Sequence, residues 1–170
     1  KLLVTGIKPN ITHFKLAELE KQGKLLAVVT QNIDGLHQAA GSKKVFELHG
    51  SVLRNYCTKC GAFYDEKYIA SHSDQDGLPL CEKCGSLIKP DVVLYEESLK
   101  DEVVSGAIKA IGSADLLIIG GTSLTVYPAA GIIHYFRGEN IVLINRDPTP
   151  SDGIANLVLH ESLGNVFSKL

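Results

Sequence analysis

Apolar and polar positions alternate along this chain in two different rhythms, and the change between them marks its organisation. Within residues 12–22, Phe14, Leu16, Ala17 and Leu19 fall near helical spacing, with Asn10 or Thr12 able to cap the start and Gly23 the end. Leu25–Thr30 is a short apolar run closing on Val28, Val29 and Thr30, the pattern of a buried strand, and Val45–Leu48 reads as another. Between residues 51 and 90 the periodicity fades into cysteine, lysine, glycine and turn residues, as expected of an inserted small module. The rhythm then resumes. Glu102–Ile111 reads as a helix, Asp115–Ile119 as a buried strand and Ala129–Phe136 as a helix after Pro128. Ile141–Ile144 and Leu157–Leu159 read as strands, and Leu163–Leu170 as a closing helix. Strand–helix alternation at this spacing predicts an α/β fold, a parallel sheet covered by helices. Such sheets bind ligands at the carboxyl ends of their strands, so the polar residues just after each strand are the ones to inspect.

Composition narrows the function classes. Of 170 residues, 45% are apolar and 21% charged, a globular balance. The net charge of −2 leaves no broad cationic field, which argues against nucleic acid or an anionic membrane as partner. Runs such as Leu25–Val29 are too short to span a bilayer. The first residue is Lys rather than Met, so the true N-terminus is expected to lie outside these residues, and an export signal is not read from them. All four cysteines fall between residues 57 and 84, in two tight pairs. A secreted disulfide framework would spread them along the chain; tight pairs suit metal binding in a reducing compartment, hence the cytoplasm.

Cys57-Thr-Lys-Cys60 and Cys81-Glu-Lys-Cys84 form two C-x2-C pairs twenty residues apart, each followed by a glycine, Gly61 and Gly85. The turn inside each pair aims both sulfurs inward, and the glycine lets backbone amides approach them. Two such knuckles predict a tetrahedral zinc held by Cys57, Cys60, Cys81 and Cys84. Four thiolates leave no open coordination position, so this zinc is structural and activates no water.

The post-strand segments are individually weaker. Gln31-Asn32-Ile33-Asp34 follows the first strand, where Asp34 could accept from a carboxamide and Asn32 could orient a water or a ribose hydroxyl. Taken alone, such a cluster is more often a loop and helix cap. His49-Gly50 follows the second strand; a histidine there can act as a general base, though a hydrogen-bonded loop histidine is the commoner case. Gly120-Gly121-Thr122-Ser123 is a glycine turn between strand and helix that can bring amides to a phosphate, but it matches neither the dinucleotide fingerprint nor the P-loop. Asn145-Arg146 follows Ile144, where a ribose-binding group is expected.

Together the motifs are far more specific. Thr30-Gln-Asn-Ile-Asp-Gly-Leu-His37, Glu47-Leu-His-Gly50, the two cysteine pairs, Pro90-Asp-Val-Val-Leu-Tyr95, Gly121-Thr-Ser-Leu124, Pro128-Ala-Ala-Gly131 and Ile144-Asn145 occur in one order and register, with Pro9-Asn10 and His13 upstream. This set resembles the sirtuin family. The resemblance implies a Rossmann-like parallel sheet with helices on both faces, assigned to residues 1–50 and 91–170, and an inserted zinc-binding module at 51–90. It implies NAD-dependent removal of acetyl or other acyl groups from protein lysines, in which an acyl-lysine oxygen attacks the ribose and nicotinamide leaves. The products would be free lysine and O-acyl-ADP-ribose. His49 would be the base that activates a ribose hydroxyl. Gln31 and Asn32 would position the nicotinamide ribose and a water, Asn32 thereby joining His49 in the catalytic set. Ile33 and Asp34 would complete the nicotinamide side, with Asp34 on the carboxamide. Gly121, Thr122 and Ser123 would contact phosphate and ribose, Asn145 and Arg146 the adenosine ribose, and Ser162 and Leu163 the adenine side. Val92, Val93 and Tyr95 would line the acyl-lysine tunnel and pair with the substrate peptide as an added strand.

Two departures from the family pattern stand out. A glycine-rich G-A-G-x-S phosphate loop and a G-I-P-D-F-R segment open the family's sequences and do not occur in these 170 residues, which are therefore expected to be impaired by themselves. After the tyrosine position the family usually has Gly-Glu, where this chain has Glu96-Glu97. Two other readings compete: an NAD-dependent protein mono-ADP-ribosyltransferase, which would not need the base at position 49, and a non-catalytic zinc-ribbon binding module. In the ribbon, Lys59, Lys67, Lys83 and Lys89 are offset by Asp65, Glu66, Asp74, Asp76 and Glu82, a mixed solvated surface.

Overall fold

Helix α1 (Ile11–Lys21) begins where Asn10 leaves extended backbone and its side chain accepts from the amides of Thr12 and His13, while the His13 ring accepts from the Asn10 amide. This reciprocal capping starts the helix one residue earlier than the apolar spacing suggests. The computed structural model describes residues 6–72 and 77–170. Asp74 and Asp76, two of the acids expected to offset the ribbon lysines, lie outside the described residues. In chain order there follow β1 (Val28–Thr30), α2 (Leu36–Ala39), β2 (Val45–Glu47), β3 (Gly50–Cys57), β4 (Phe63–Asp65), α3 (Glu66–Ser71) and β5 (Ile88–Val92). Then come α4 (Asp101–Gly112), β6 (Leu116–Gly120), a 3-10 helix (Ala129–Tyr135), β7 (Asn140–Ile144), a short 3-10 turn (Asp152–Ile154), β8 (Leu157–Leu159) and α5 (Leu163–Phe167).

The chain divides into two units. One contains Lys8–Gln31, Leu36–Leu48 and Leu99–Leu170. In it β1 and β2 pair in parallel, Val28 opposite Val45 and Thr30 opposite Glu47. Strands β6, β7 and β8 form a parallel sheet in that order, with Gly120 opposite Ile144 and Ile144 opposite Leu159. The parallel pairing and the alternation of strands with helices are those expected of an α/β unit. The Glu20 carboxylate accepts from the successive amides of Lys43 and Lys44, at 2.8 and 2.7 Å, and ties the last turn of α1 to the segment entering β2. Leu48, Ala107, Ile111, Ala129 and Ile132 form the core, so α4 and the 3-10 helix share one apolar seam.

Three expectations shift. The first strand is shorter than Leu25–Thr30, and Leu26 is exposed. In β6 burial is one-sided: Ile119 is buried while Leu116 and Ile118 stay half open, because alternate residues face opposite sides of a sheet. The segment after Pro128 is a 3-10 helix closed by bonds such as Gly131 N–H to the Pro128 carbonyl. Gly131 and the β-branched pair Ile132–Ile133 are weak α-helix formers.

The second unit contains Asn32–Gly35 and His49–Ser98. Its sheet is antiparallel, in the order β4–β3–β5. The fading periodicity of residues 51–90 concealed β3, eight residues long and central to this sheet, with a bulge between Ser51 and Asn55. Asn55 is buried, and its amide donates to the carbonyls of Val52 and Tyr64, meeting the need of a polar group without water. Arg54 crosses to Asp91 at 3.0 Å, and Asp65 caps α3 by accepting from the Tyr68 amide.

Gly106 lies within α4, where alanine usually stabilises a helix by about 1 kcal/mol. Here a Cβ would collide with the edge of the Phe46 ring, and overpacking costs about 1–3 kcal/mol. Gly106→Ala is therefore expected to lower stability by about 1 kcal/mol in a urea titration; a gain would show that the ring moves freely.

Candidate functional site

The two cysteine knuckles converge. The ligand atoms of Cys57, Cys60, Cys81 and Cys84 all lie within 4.8 Å of one another. Cys57 Sγ is 3.4 Å from Cys84 Sγ, and Cys60 Sγ is 3.6 Å from Cys81 Sγ. A zinc with bonds of about 2.3 Å needs tetrahedral edges of about 3.8 Å, so the sulfurs are already near a metal's geometry. The knuckles repeat in detail. Gly61 N–H donates to the Cys57 carbonyl and Gly85 N–H to the Cys81 carbonyl, both glycines at φ near +70° where a side chain would be strained. The amides of Lys59 and Cys60 point at Cys57 Sγ.

Tyr64, on β4, adds a partner that cysteine spacing could not disclose. Its hydroxyl sits 3.1 Å from Cys81 Sγ. Donation from this hydroxyl leads the causes that lower the Cys81 thiol to about 6, against its burial and with help from the amides of Lys83 and Cys84. The same bond pushes the Tyr64 phenol upward. The Tyr64 hydroxyl thus favours the thiolate form of Cys81, the form that binds metal.

In the same unit, β3 leads back from Cys57 to His49. The His49 carbonyl accepts from the Val93 amide at 3.0 Å, and Gly50 lies opposite Val92. Gly50 has φ +77°, and a Cβ there would strike the Asp91 carbonyl oxygen. The glycine after the histidine therefore permits close strand approach. The Ile33 carbonyl accepts from the Val52 amide at 3.0 Å and the Ser51 hydroxyl at 3.4 Å, which fastens Asn32–Asp34 to β3. Asn32, Ile33, Asp34, His49, Val92 and Val93 are therefore gathered around one strand pair. Strand β5 is the edge of this sheet, and the turn beyond it displays Tyr95 fully to solvent.

The other unit gathers the remaining candidates at the carboxyl ends of its parallel strands. Gln31 follows β1 and is joined to the loop after β6: Thr122 Oγ1 donates to Gln31 Oε1, and Gln31 Nε2 donates to the Val126 carbonyl, both at 3.5 Å. That loop turns at Gly121, whose amide bonds the Ile144 carbonyl, and at Leu124, which has φ 55°. Ser123 and Thr125 hydroxyls lie 2.9 Å apart. Asn145 follows β7; its amide bonds the Leu159 carbonyl and its side chain donates to the Asp147 carbonyl. Arg146 is exposed beside it. Ser162 caps α5 by accepting from the Asn165 amide, and Leu163 lies against Gly120, where a Cβ would collide with it. The strand register accounts for this grouping: residues 120, 144 and 159 are partners, so the residues after them share one edge.

The sequence matches the profile of the Sir2 family over residues 1–128. An NAD-dependent protein deacetylase of Clostridium perfringens is 62% identical over 171 residues, spanning 100% of this chain and 69% of the relative. One of Clostridium acetobutylicum is 54% identical over 167 residues, 98% of this chain and 67% of the relative. Among solved structures, Sir2 with a p53 peptide and NAD+ superposes with a TM-score of 0.88 at 40% identity, covering 95% of this chain and 68% of that one. Sir2Tm bound to a propionylated peptide gives 0.89 at 41%, covering 95% and 69%. The chain belongs to the Sir2 family.

The sulfur geometry makes a prediction of its own. One zinc per chain is expected by elemental analysis, and Cys81→Ala should lose it and leave the β3–β4–β5 unit partly unfolded, because metal binding and folding are coupled. Tyr64→Phe should keep the metal but release it to a chelator with affinity lowered about tenfold or more, the scale for a lost partner to a ligand. Unchanged release would remove Tyr64 from the site.

Proposed function

We propose that this chain carries out NAD-dependent removal of acetyl or other acyl groups from protein lysines, yielding free lysine, nicotinamide and O-acyl-ADP-ribose. The observation that carries the reading is the 62% identity, across the whole chain, with an NAD-dependent protein deacetylase. The grouping of His49 with the Asn32–Asp34 segment and the β5 edge supports it. NAD, when bound, supplies a ribose carbon from which nicotinamide can depart. Gln31, Gly121, Thr122, Ser123, Asn145, Arg146, Ser162 and Leu163 hold it from the strand ends of one unit. Asn32, Ile33 and Asp34 serve the nicotinamide side, Asp34 accepting from the carboxamide. His49 takes a proton onto its imidazole from a ribose hydroxyl, and β5 with Val92, Val93 and Tyr95 receives the acyl-lysine peptide. Residues 1–50 and 91–170 form the NAD-binding domain in this reading and 51–90 the zinc module. The zinc is structural, since four thiolates fill its coordination sphere. The paired thiols favour the cytoplasm; among the described residues no helix is long and apolar enough to cross a membrane.

In the full chain, His49→Ala is expected to reduce deacylation about 10²- to 10⁴-fold, the scale of a lost general base. Nicotinamide exchange should survive better, because the acyl oxygen rather than His49 attacks the ribose. If His49 merely packs, exchange and deacylation will fall together with the melting temperature. Near-native deacylation by a folded variant would remove His49 from the mechanism. Nicotinamide release without any acyl-lysine requirement would favour ADP-ribosyl transfer instead.

The 170 residues tested by themselves are expected to bind NAD weakly and turn over slowly, because no glycine-rich pyrophosphate loop occurs in them. Comparison with a version extended by such a segment checks this; equal activity would overturn it.

A further inference from the structure

The turn after β5 places two adjacent glutamates in opposite situations. Glu97 is engaged twice: its Oε2 accepts from the Leu94 amide at 3.0 Å, and its Oε1 pairs with Lys89. Its own amide donates back to the Leu94 carbonyl at 3.1 Å, closing the turn. These bonds, led by the one from Lys89, hold the Glu97 carboxyl below its ordinary value. Glu96 occupies the third position of the same turn with φ 69°, in the left-handed region that favours glycine. It is exposed, and among the described residues its carboxylate has no hydrogen bond or ion pair. Beside it Tyr95 is fully exposed. The turn is thus held by Glu97, while Glu96 combines a left-handed backbone conformation with an exposed carboxylate. No bond within the unit explains a glutamate there.

Its place in the fold suggests what it meets. Glu96 lies in the turn that follows edge strand β5, three residues beyond Val93, so a peptide added along that edge would have Glu96 beside one of its ends. Three residues of an extended added peptide span about 10 Å, so the carboxylate would meet side chains within about three residues of the acyl-lysine. We propose that Glu96 is a specificity-determining residue that selects acyl-lysine peptides carrying a lysine or arginine within about three positions of the modified residue. This rests on the deacylase reading above. The carboxylate acts as a long-range charge rather than a buried partner, so the selection is modest and screened by salt.

The test uses the full chain and fluorescent acetyl-lysine peptides that differ only by Arg, Gln or Glu at each of the three positions on either side. Binding is read by anisotropy and turnover by kcat/KM. At low salt the native protein is expected to favour the best Arg peptide over its Gln counterpart about two- to five-fold, to disfavour Glu, and to lose the preference near 1 M salt. Glu96→Gln should abolish the preference by bringing the Arg peptide down toward the Gln peptide in both readouts, and Glu96→Gly should abolish it too. A preference that survives Glu96→Gln, or none in the native protein, overturns the proposal. So does a variant that weakens all peptides equally, which would make Glu96 a shaper of the turn. The two readings fail separately: charge preference in binding without deacylation refutes the deacylase, whereas deacylation without charge preference refutes only Glu96.

Discussion

The contact between Gly50 and the Asp91 carbonyl is the constraint on which the β3–β5 pair depends. Only a residue without a Cβ lets the two backbones meet there. Once they meet, Val92 lies opposite Gly50, the Val93 amide reaches the His49 carbonyl, and β3 runs on to end at Cys57. One strand thereby carries the candidate base at its start and a metal ligand at its end. The loop Asn32–Asp34 is attached to that strand through the Ile33 carbonyl.

The other unit reaches an ordered edge by different means. Parallel strands in register end together, so Gly121, Asn145 and the residues before α5 come to one rim without a dedicated tether. The rim is then stiffened by side chains: Gln31 bridges to Thr122 and Val126, and Asn145 folds over its own turn. Polar residues after strands serve as loop fasteners and as ligand candidates at once, so neither role could be excluded from the sequence by itself.

Much of this was legible in advance, and the reasons differ by element. The helix α4 and the strands β6–β8 announce themselves through strong apolar runs, and the cysteine pairs state their geometry through spacing and glycine. Strand β3 was hidden because its residues, Gly50 to Cys57, mix buried polar groups such as Ser51 and Asn55 with apolar ones, and a bulge breaks the alternation. Tyr64 was invisible as a sulfur partner because only the β3–β4 register brings it to Cys81. The residues after Pro128 kept helical spacing but adopted the tighter 3-10 winding. Glu96 stood out in the sequence as an odd substitution, and the backbone gives the oddity a physical form: a glycine conformation occupied by a charged residue.

Strand β3 also separates two senses of the word essential. Eight residues of extended chain put the sulfur cluster roughly 25 Å along the strand from His49, far outside the reach of any reacting atom. Under the proposed deacylase reading, a survey of inactivating substitutions would nonetheless rank the four cysteines beside the histidine. Loosening one end of a strand degrades the aim of whatever is mounted at the other, much as a rifle sight suffers from a loose stock. Loss of turnover on removing metal is therefore no sign that the metal takes part in the chemistry.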